Sequence, residues 1–163
     1  MQGIDFPQLT LLFPHITFSL TVRDLGLSLD SELTLSQHVN SIARSCYYQL
    51  RQLRVVSRSL SHDAVVVLVH AFVTSRIDHC SSLLAGLPLG VLGRLDRVLR
   101  SAARLIGRLP KFSPVSAYMR DVLHWLPVSQ RIAYRIVALV SRCVLGCAPS
   151  YLRDLCRPVS DEG

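Results

Sequence analysis

Apolar residues recur at intervals of three and four along three long stretches of the chain, and this spacing limits what it can fold into. The three series are Val39, Ile42, Cys46, Leu50 and Leu53; Leu92, Leu95, Leu99, Ala102 and Ile106; and Ile132, Ile136, Leu139, Val140 and Cys143. An α-helix has about 3.6 residues per turn, so each series forms one apolar face. The chain is therefore predicted to be mainly α-helical, with these faces supplying much of the core.

Residues that start and end helices divide the rest of the chain. Ser36 is a favourable helix cap, and Gly86-Leu87-Pro88 ends a helical stretch. We predict five to six helices, over residues 36–58, 61–75, 89–108, 116–123, 127–145 and, as a final turn or helix, 150–155. The helix over 61–75 is apolar nearly all round, so we expect it to be the most buried. Two β-leaning runs, Ile16–Leu20 and Val22–Leu29, predict a small N-terminal β element.

Arginine dominates the charge of the chain. The basic residues are 17 arginines and one lysine, and the net charge is +7. Arginine binds phosphate with a planar fork of N–H donors and also stacks on bases. A basic surface of this kind favours polyanions, with nucleic acid first and an anionic membrane second.

The arginines are arranged in stripes along the predicted helices. On the 89–108 helix, five arginines occupy an arc about 120° wide opposite the apolar face, and Asp96 is the only acid within it. The stripes either grip the phosphates of a duplex or form solvated faces with ion pairs, and the shortage of acids favours phosphate or another acidic partner. The candidate nucleic-acid-binding residues are Arg44, Arg51, Arg54, Arg58, Arg94, Arg97, Arg100, Arg104, Arg108, Arg131 and Arg135.

Two longer strings of residues resemble a known family. They are Leu68–Pro88 (LVHAFVTSRIDHCSSLLAGLP) and Leu123–Ile132 (LHWLPVSQRI). Upstream lies Val22–Leu33 (VRDLGLSLDSEL), followed by His38, and downstream lies Ala148–Leu155 (APSYLRDL). In this order and spacing they resemble the region after the polymerase palm in reverse transcriptases of non-LTR retrotransposons, in the Jockey-like branch.

The resemblance implies a division of the chain and a partner. Residues 1–21 are a leader that does not match the family, 22–35 correspond to the end of the palm with short strands, 36–159 to the helical thumb and connector, and 160–163 to a tail. The implied partners are the missing palm domain of the parent polymerase and the primer–template duplex, which a thumb contacts through phosphates.

The chain lacks the carboxylates that the family's chemistry needs. Nucleotide addition uses metal ions held by oxygen ligands, and the family supplies some of these from a Tyr/Phe-Ala-Asp-Asp turn in the palm. No Asp-Asp pair occurs here, and the only adjacent acids are Asp161 and Glu162. We therefore expect a non-catalytic fragment of an RNA-directed DNA polymerase, not an enzyme on its own, with no catalytic residue, metal or cofactor. The Mg²⁺ would belong to the missing palm.

The cysteines and the apolar runs point to the inside of the cell. Five cysteines without a Cys-x-x-Cys pair argue against a disulfide framework or a zinc ribbon. No signal peptide is evident, and the longest apolar run, Ala64–Val69, is too short to span a membrane. The expected location is intracellular, in the cytoplasm or the nucleus, with no membrane partner.

Three local pairs invite a chemical interpretation. Neighbouring residues on one helix point about 100° apart, so His79 and Cys80 are not expected to act as base and nucleophile. Packing is the simpler role for His124-Trp125. Arg76 and Asp78 are two positions apart and do not face each other on a helix, so each is expected to pair with another segment.

The composition suggests an uncovered apolar surface. Half of the residues are hydrophobic and 18% are charged, against about 25% in typical domains. We expect a patch where a palm would dock, built from the β element and the start of the helix at Ser36, with self-association through it. Two alternatives remain: a helical protein-interaction module, or a relic without selected activity. Peripheral membrane binding is disfavoured, because the core needs the apolar faces.

Overall fold

The computed structural model describes His15, Ser19, residues 21–110 and residues 112–156. Internal contacts divide the chain into two units, Met1–His38 and Val39–Gly163, and each is described by itself. The described part is mainly helical with a small two-stranded sheet, as the sequence predicts.

The first unit contains a β-hairpin. Strand β1 (Thr21–Asp24) pairs antiparallel with β2 (Leu27–Asp30), with Thr21 opposite Asp30. The two turn residues, Leu25 and Gly26, both have positive φ values, 46° and 84°. A two-residue turn of this kind matches the twist of the strands. The predicted β element is confirmed, with both strands within or beside the run Val22–Leu29; apart from Ser19, the run Ile16–Leu20 lies outside the described residues.

Two side-chain contacts hold the segment that follows the hairpin. The backbone N–H of Ser28 donates to Nδ1 of the buried His38 at 3.3 Å. The Asp30 carboxylate accepts from the backbone N–H and from the hydroxyl of Thr34, each at 2.7 Å. The Thr34 hydroxyl lowers the pKa of Asp30 below its usual value.

Seven α-helical segments follow, and two of them join through a π-helical turn into one continuous helix, which makes six helices. Their bounds are α1 Ser36–Val56, α2 His62–Val69, α3 Ser75–Asp78, α4 Leu89–Ile106, α5 Ser116–Asp121, α6 Val128–Val144 and α7 Ser150–Arg153. Between α2 and α3, His70–Thr74 forms a π-helical turn, so α2, the turn and α3 run without a break. Short 3₁₀ turns lie at Ser57–Ser59 and Ser81–Leu84. The predicted number of helices is confirmed for the part of the chain that is described.

Helix α4 is the centre of the core. Eight of its residues are buried: Leu92, Leu95, Val98, Leu99, Ala102, Ala103, Leu105 and Ile106. It contacts α2, the π-helical turn, α5 and α6. The prediction that the 61–75 helix is the most buried is wrong, because Val67 and Phe72 on it are exposed. Along α2 to α3 only the line Val65, Val69, Val73 and Ile77, with Thr74 beside it, is buried.

The last long helix departs from its predicted burial. Val128, Ile132 and Cys143 of α6 are buried, whereas Leu139 and Val140, which were predicted to be core, are exposed. At about 100° per residue, Val140 lies roughly 80° away from Ile132, on a side that no described element covers fully. No described helix combines the length and the apolarity needed to cross a bilayer.

Candidate nucleic-acid interface

The five arginines predicted along the 89–108 helix have different environments. Arg97 and Arg100 are exposed, and Arg94 is half-buried with its guanidinium donating to the Asn40 side chain at 2.5 Å. Arg104 is half-buried in the last turn of α4. Arg108 lies beyond the end of the helix, so the prediction that it continues the helical stripe is wrong.

The only acid of α4 does not pair with these arginines. One carboxylate oxygen of Asp96 accepts from the backbone N–H of Val128 at 2.9 Å, at the N-terminus of α6. That N–H belongs to the first turn of α6 and has no partner within its own helix. A carboxylate there also opposes the positive end of the helix dipole. Asp96 is therefore a cap for α6, and it leaves the charge of the α4 arginines unbalanced.

Two helix ends and the loop after α4 form a basic cavity, which we call the arginine cleft. Its volume is about 840 Å³, and its described lining is Arg54, Ser57, Arg58, Ser101, Arg104, Leu105, Arg108, Leu109 and Phe112. Four of these nine residues are arginines and none is acidic. A shallower depression of about 360 Å³ shares Arg54 and Arg58 and adds Arg51 and Val55. The structure thus brings five of the predicted binding residues to one continuous surface, from α1, the 3₁₀ turn after it, α4 and the loop after α4.

The end of α4 is shaped in a way that directs Arg108 toward the end of α1. The backbone N–H of Leu109 donates to the Arg104 carbonyl at 3.0 Å and that of Arg108 to the Leu105 carbonyl at 3.3 Å. These bonds define a Schellman ending, whose left-handed position is usually glycine. Here Arg108 occupies it with φ 48°. Its Nη2 donates to the carbonyls of Ser57 and Leu60 at 3.3 and 3.4 Å.

The loop after α4 also packs closely against α5, where Gly107 meets the ring of Tyr118. A Cβ added to Gly107 would lie 2.9 Å from two ring atoms of Tyr118 on α5. No side chain fits at that distance without displacing the ring. Gly107 therefore lets α4 end against α5 and sets the direction in which Arg108 and Leu109 leave the helix.

Arg131 and Arg135 are held elsewhere. Arg131 donates to both carboxylate oxygens of Asp78 at 3.2 and 3.1 Å, and Arg135 lies 3.5 Å from the same carboxylate. Nη1 of Arg135 also donates to the Asp78 carbonyl. The Arg131 guanidinium lies 5.7 Å from the centre of the Trp125 ring. These two predicted binding residues are not brought to the arginine cleft, and their charge is largely committed to Asp78.

The remaining candidate, Arg44, is exposed on α1 and lines neither cavity. Among the described residues, the only other arginine paired with a carboxylate is Arg120, 2.7 Å from Asp121. The predicted pairing of Arg76 and Asp78 with other segments is confirmed, since Nη1 of Arg76 donates to the Ser45 hydroxyl at 2.7 Å.

The two strings that carry the family resemblance pack against each other. Besides the Asp78–Arg131 contact, the rings of His70 and Trp125 meet edge to face at 5.6 Å. Trp125 is buried, which confirms its predicted packing role, whereas His124 is exposed, so the same prediction is wrong for it. The strings therefore specify how α2 and α3 meet the start of α6.

His79 and Cys80 do not lie on one helix, so the prediction that their side chains point apart is wrong. Helix α3 ends at Asp78, His79 is extended, and Cys80 is left-handed with φ 50°. The Cys80 Sγ and His79 Nε2 lie 3.5 Å apart. The two side chains do meet, because the helix ends before them. Within the described residues, no group of three His, Cys, Asp or Glu side chains is placed to hold a metal ion.

Searches against protein-family models, curated proteins and solved structures find no match to this chain.

Proposed function

We propose that the chain binds nucleic-acid duplexes without sequence preference, as the thumb and connector part of a non-LTR retrotransposon reverse transcriptase. It carries no polymerase activity by itself, because the Asp-Asp pair of the family's palm is absent. The five unpaired cysteines fit a reduced compartment, so we place this binding inside the cell, in the cytoplasm or the nucleus.

One observation carries the proposal. Five arginines from α1, the 3₁₀ turn after it, α4 and the loop after α4 form one surface whose described lining contains no acid. Arg97 and Arg100 extend this surface along the exposed side of α4. Solvated basic helix faces are normally interspersed with acids that offset the repulsion. Like charges gathered without acids favour a polyanion, and phosphates are contacted by arginine in a way that ignores sequence.

The test is the salt dependence of duplex binding. Replacing Arg97, Arg100 and Arg104 by Gln removes three charges and keeps most of each side chain's stem. The slope of log K against log salt for an RNA–DNA duplex should flatten by up to about 2.7 units, at roughly 0.9 per lost phosphate contact.

A matched control removes the same charge from other places. Arg23, Arg120 and Arg153 are exposed and line neither cavity, so their triple Gln variant should keep the wild-type slope. Equal slopes for all three proteins would show that the surface is merely solvated and that the proposed function is wrong.

A second candidate function has an observation of its own. Val137, Val140 and Val144 are 63%, 42% and 62% exposed and lie on one side of α6. Three valines at spacings of three and four on an exposed side are typical of a helix that packs against a partner. This favours the alternative of a helical interaction module, and it is compatible with duplex binding, since the valines lie outside the arginine cleft.

A further inference from the structure

The arginine cleft has features that a surface for duplex phosphates does not need. It is concave, and its volume falls within the range of sites that hold small ligands. Leu105 and Leu109 provide apolar surface inside it, and Phe112, a residue that is 90% exposed, also lines it. A duplex presents its phosphates on a convex surface, which touches the edge of such a cavity but does not fill it.

One donor inside the cleft lacks an acceptor. The Nε of Arg104 is buried and makes no hydrogen bond in the described structure. A buried guanidinium N–H without a partner is unfavourable, because the group loses its hydration without replacement. A bound phosphate would draw the Arg104 guanidinium toward the cleft and accept from this N–H, and the fork of guanidinium donors suits two phosphate oxygens at once.

The cleft is also partly organised before any ligand enters. Arg108 is held by the carbonyls of Ser57 and Leu60, so one side of the cavity is linked to the other. Its left-handed backbone keeps the side chain pointing across the cavity and not along α4. Arg54 and Arg58 come from the last turn of α1 and from the 3₁₀ turn that follows it.

Cationic groups beside an exposed aromatic ring suit a strand whose bases are unpaired. Single-stranded nucleic acid is bound by a basic groove along its backbone together with aromatic rings on which bases stack. A base within a duplex is already stacked and cannot reach Phe112. An unpaired nucleotide is narrow enough to enter the cavity and has a free face for the ring.

We propose that the arginine cleft receives the unpaired end of a nucleic-acid strand, with its phosphates on Arg54, Arg58, Arg104 and Arg108 and a base stacked on Phe112. This rests on the proposed function, since the chain must first bind nucleic acid. It adds a preference for a duplex that carries a single-stranded extension.

The experiment compares a blunt duplex with the same duplex carrying a short extension, for the wild type and for Phe112→Ala. The wild type should bind the extended duplex at least about fivefold more tightly, the lower end of what one base–aromatic stack contributes. Phe112→Ala should lose this preference and keep both its affinity for the blunt duplex and its salt slope. Tyr134→Ala, which removes an exposed ring of α6 outside the cleft, should keep the preference.

A second readout reports stacking directly. A fluorescent adenine analogue placed in the extension should be quenched on binding to the wild type and to Tyr134→Ala, but not to Phe112→Ala. Phe112 is 90% exposed, so replacing its side chain is not expected to unfold the protein.

The outcomes separate this inference from the proposed function. Equal affinity for the blunt and extended duplexes would overturn the inference while salt-dependent duplex binding remains. A preference that survives in Phe112→Ala would also overturn it. If neither duplex binds, or if binding does not respond to salt, both the inference and the proposed function are wrong.

Discussion

Two helix ends show how one residue can serve either the fold or a site. Helices α4 and α6 both end in a Schellman motif, and Gly146 occupies the left-handed position after α6 with φ 74°. The corresponding position after α4 is Arg108. A side chain in the left-handed region costs about 1 kcal/mol, which glycine avoids. At the end of α4 the strained position carries a side chain that contributes to the arginine cleft, whereas the end of α6 avoids the strain with glycine.

Cys46 should be the least reactive thiol in the folded protein. Burial raises the pKa of its thiol from the usual 9.0 to about 11, and its Sγ lies 3.8 Å from the Val73 carbonyl. Only the thiolate is alkylated readily. At about pH 8, iodoacetamide should modify the exposed Cys147 in the native state and Cys46 only in denaturant, as read by mass spectrometry. Equal labelling of both thiols in the native state would contradict the burial of Cys46.

The same shift has a consequence for stability at alkaline pH. The folded pKa lies above the unfolded one, so this contribution to stability is complete below the unfolded value. It is lost as pH rises from about 9 toward about 11. Cys46→Val removes this part of the pH dependence, so its urea midpoint should fall less over that range than that of the wild type.

Asp78 should be the most consequential acid for stability. Its side chain is 23% exposed and that of Arg131 is 15% exposed. Asp78→Ala leaves Arg131 partly buried without its carboxylate, and we expect a loss of about 1–3 kcal/mol in the free energy of unfolding. Asp121→Ala is the control, because its ion pair with Arg120 is exposed and such pairs contribute little. Similar urea midpoints for the two variants would mean that the Asp78 contacts do not stabilise the fold.

The helical run from α2 to α3 has buried residues at a constant spacing of four, although the helix itself is irregular. Val65, Val69, Val73 and Ile77 follow one another at intervals of four, and all are buried. In a regular α-helix each interval of four advances by about 40°, so Ile77 would lie about 120° from Val65. The π-helical turn inserts one residue, and the Ser75 N–H bonds to the His70 carbonyl five positions back. The inserted residue reduces this rotation by about 100°, so Ile77 lies on the same buried side as Val65.

A deletion tests this account. Removing Ala71, an exposed residue of the π-helical turn, should convert the turn to regular α-helix and keep the later residues on their present side. We expect a cooperative circular-dichroism melt at a temperature close to that of the wild type. Removing the exposed Arg97 from α4 has no turn to absorb it and rotates every later core residue of that helix by about 100°, so this control should fail to fold. Equal damage from the two deletions would contradict the role of the π-helical turn.

The elements that the sequence predicts best are those with one regular apolar face. The bounds of α1 and α4 follow from the spacing of Val39 to Leu53 and of Leu92 to Ile106, because burial and period agree there. The π-helical turn was missed because periodicity reasoning assumes one rise and one rotation per residue. Leu139 and Val140 were misassigned because an apolar residue at helical spacing can face either a neighbour or solvent.

The sequence predicts which residue type forms the candidate site, but not which arginines belong to it. Composition and stripes predict arginines as the candidate binding residues, yet only the fold separates the arginines of the cleft from Arg131 and Arg135, which Asp78 engages. Phe112 was missed, since an isolated aromatic residue in a proline-flanked loop gives no periodic signal. The role of Asp96 as a cap for α6 depends on a contact across 32 positions, which spacing cannot reveal.

Across the part of the chain that the structure describes, the exposed apolar surface differs in part from the one expected. Val22 and Leu25 of the hairpin are exposed, but the start of α1 contributes no exposed large apolar side chain among the described residues, so that part of the prediction is wrong. The valines of α6, with Leu145 after them, form another group of exposed apolar side chains. A surface of this kind tends to be covered by a partner or by a second copy of the chain.

Replacing Val137 and Val144 by Glu should therefore reduce self-association at micromolar concentration, measured by sedimentation velocity. The melting temperature should change little, because both side chains are exposed and Glu is compatible with a helix. Val67→Glu, at an equally exposed valine of α2, should leave self-association unchanged. A monodisperse wild-type protein would show that the valines of α6 do not mediate self-association.

The contact between Asp78 and Arg131 also bears on how long the folded state lasts once formed. The two residues are 53 positions apart, so α4 and α5 must be folded back before their side chains can meet. Contacts that close late are absent from the folding transition state, and losing them accelerates unfolding while refolding keeps its rate. In stopped-flow experiments Asp78→Ala should unfold faster and refold at the wild-type rate, whereas slower refolding would mean that the contact forms early. With faster unfolding and unchanged refolding, the Asp78 carboxylate sets the lifetime of the native state and has little influence on the route by which that state is reached.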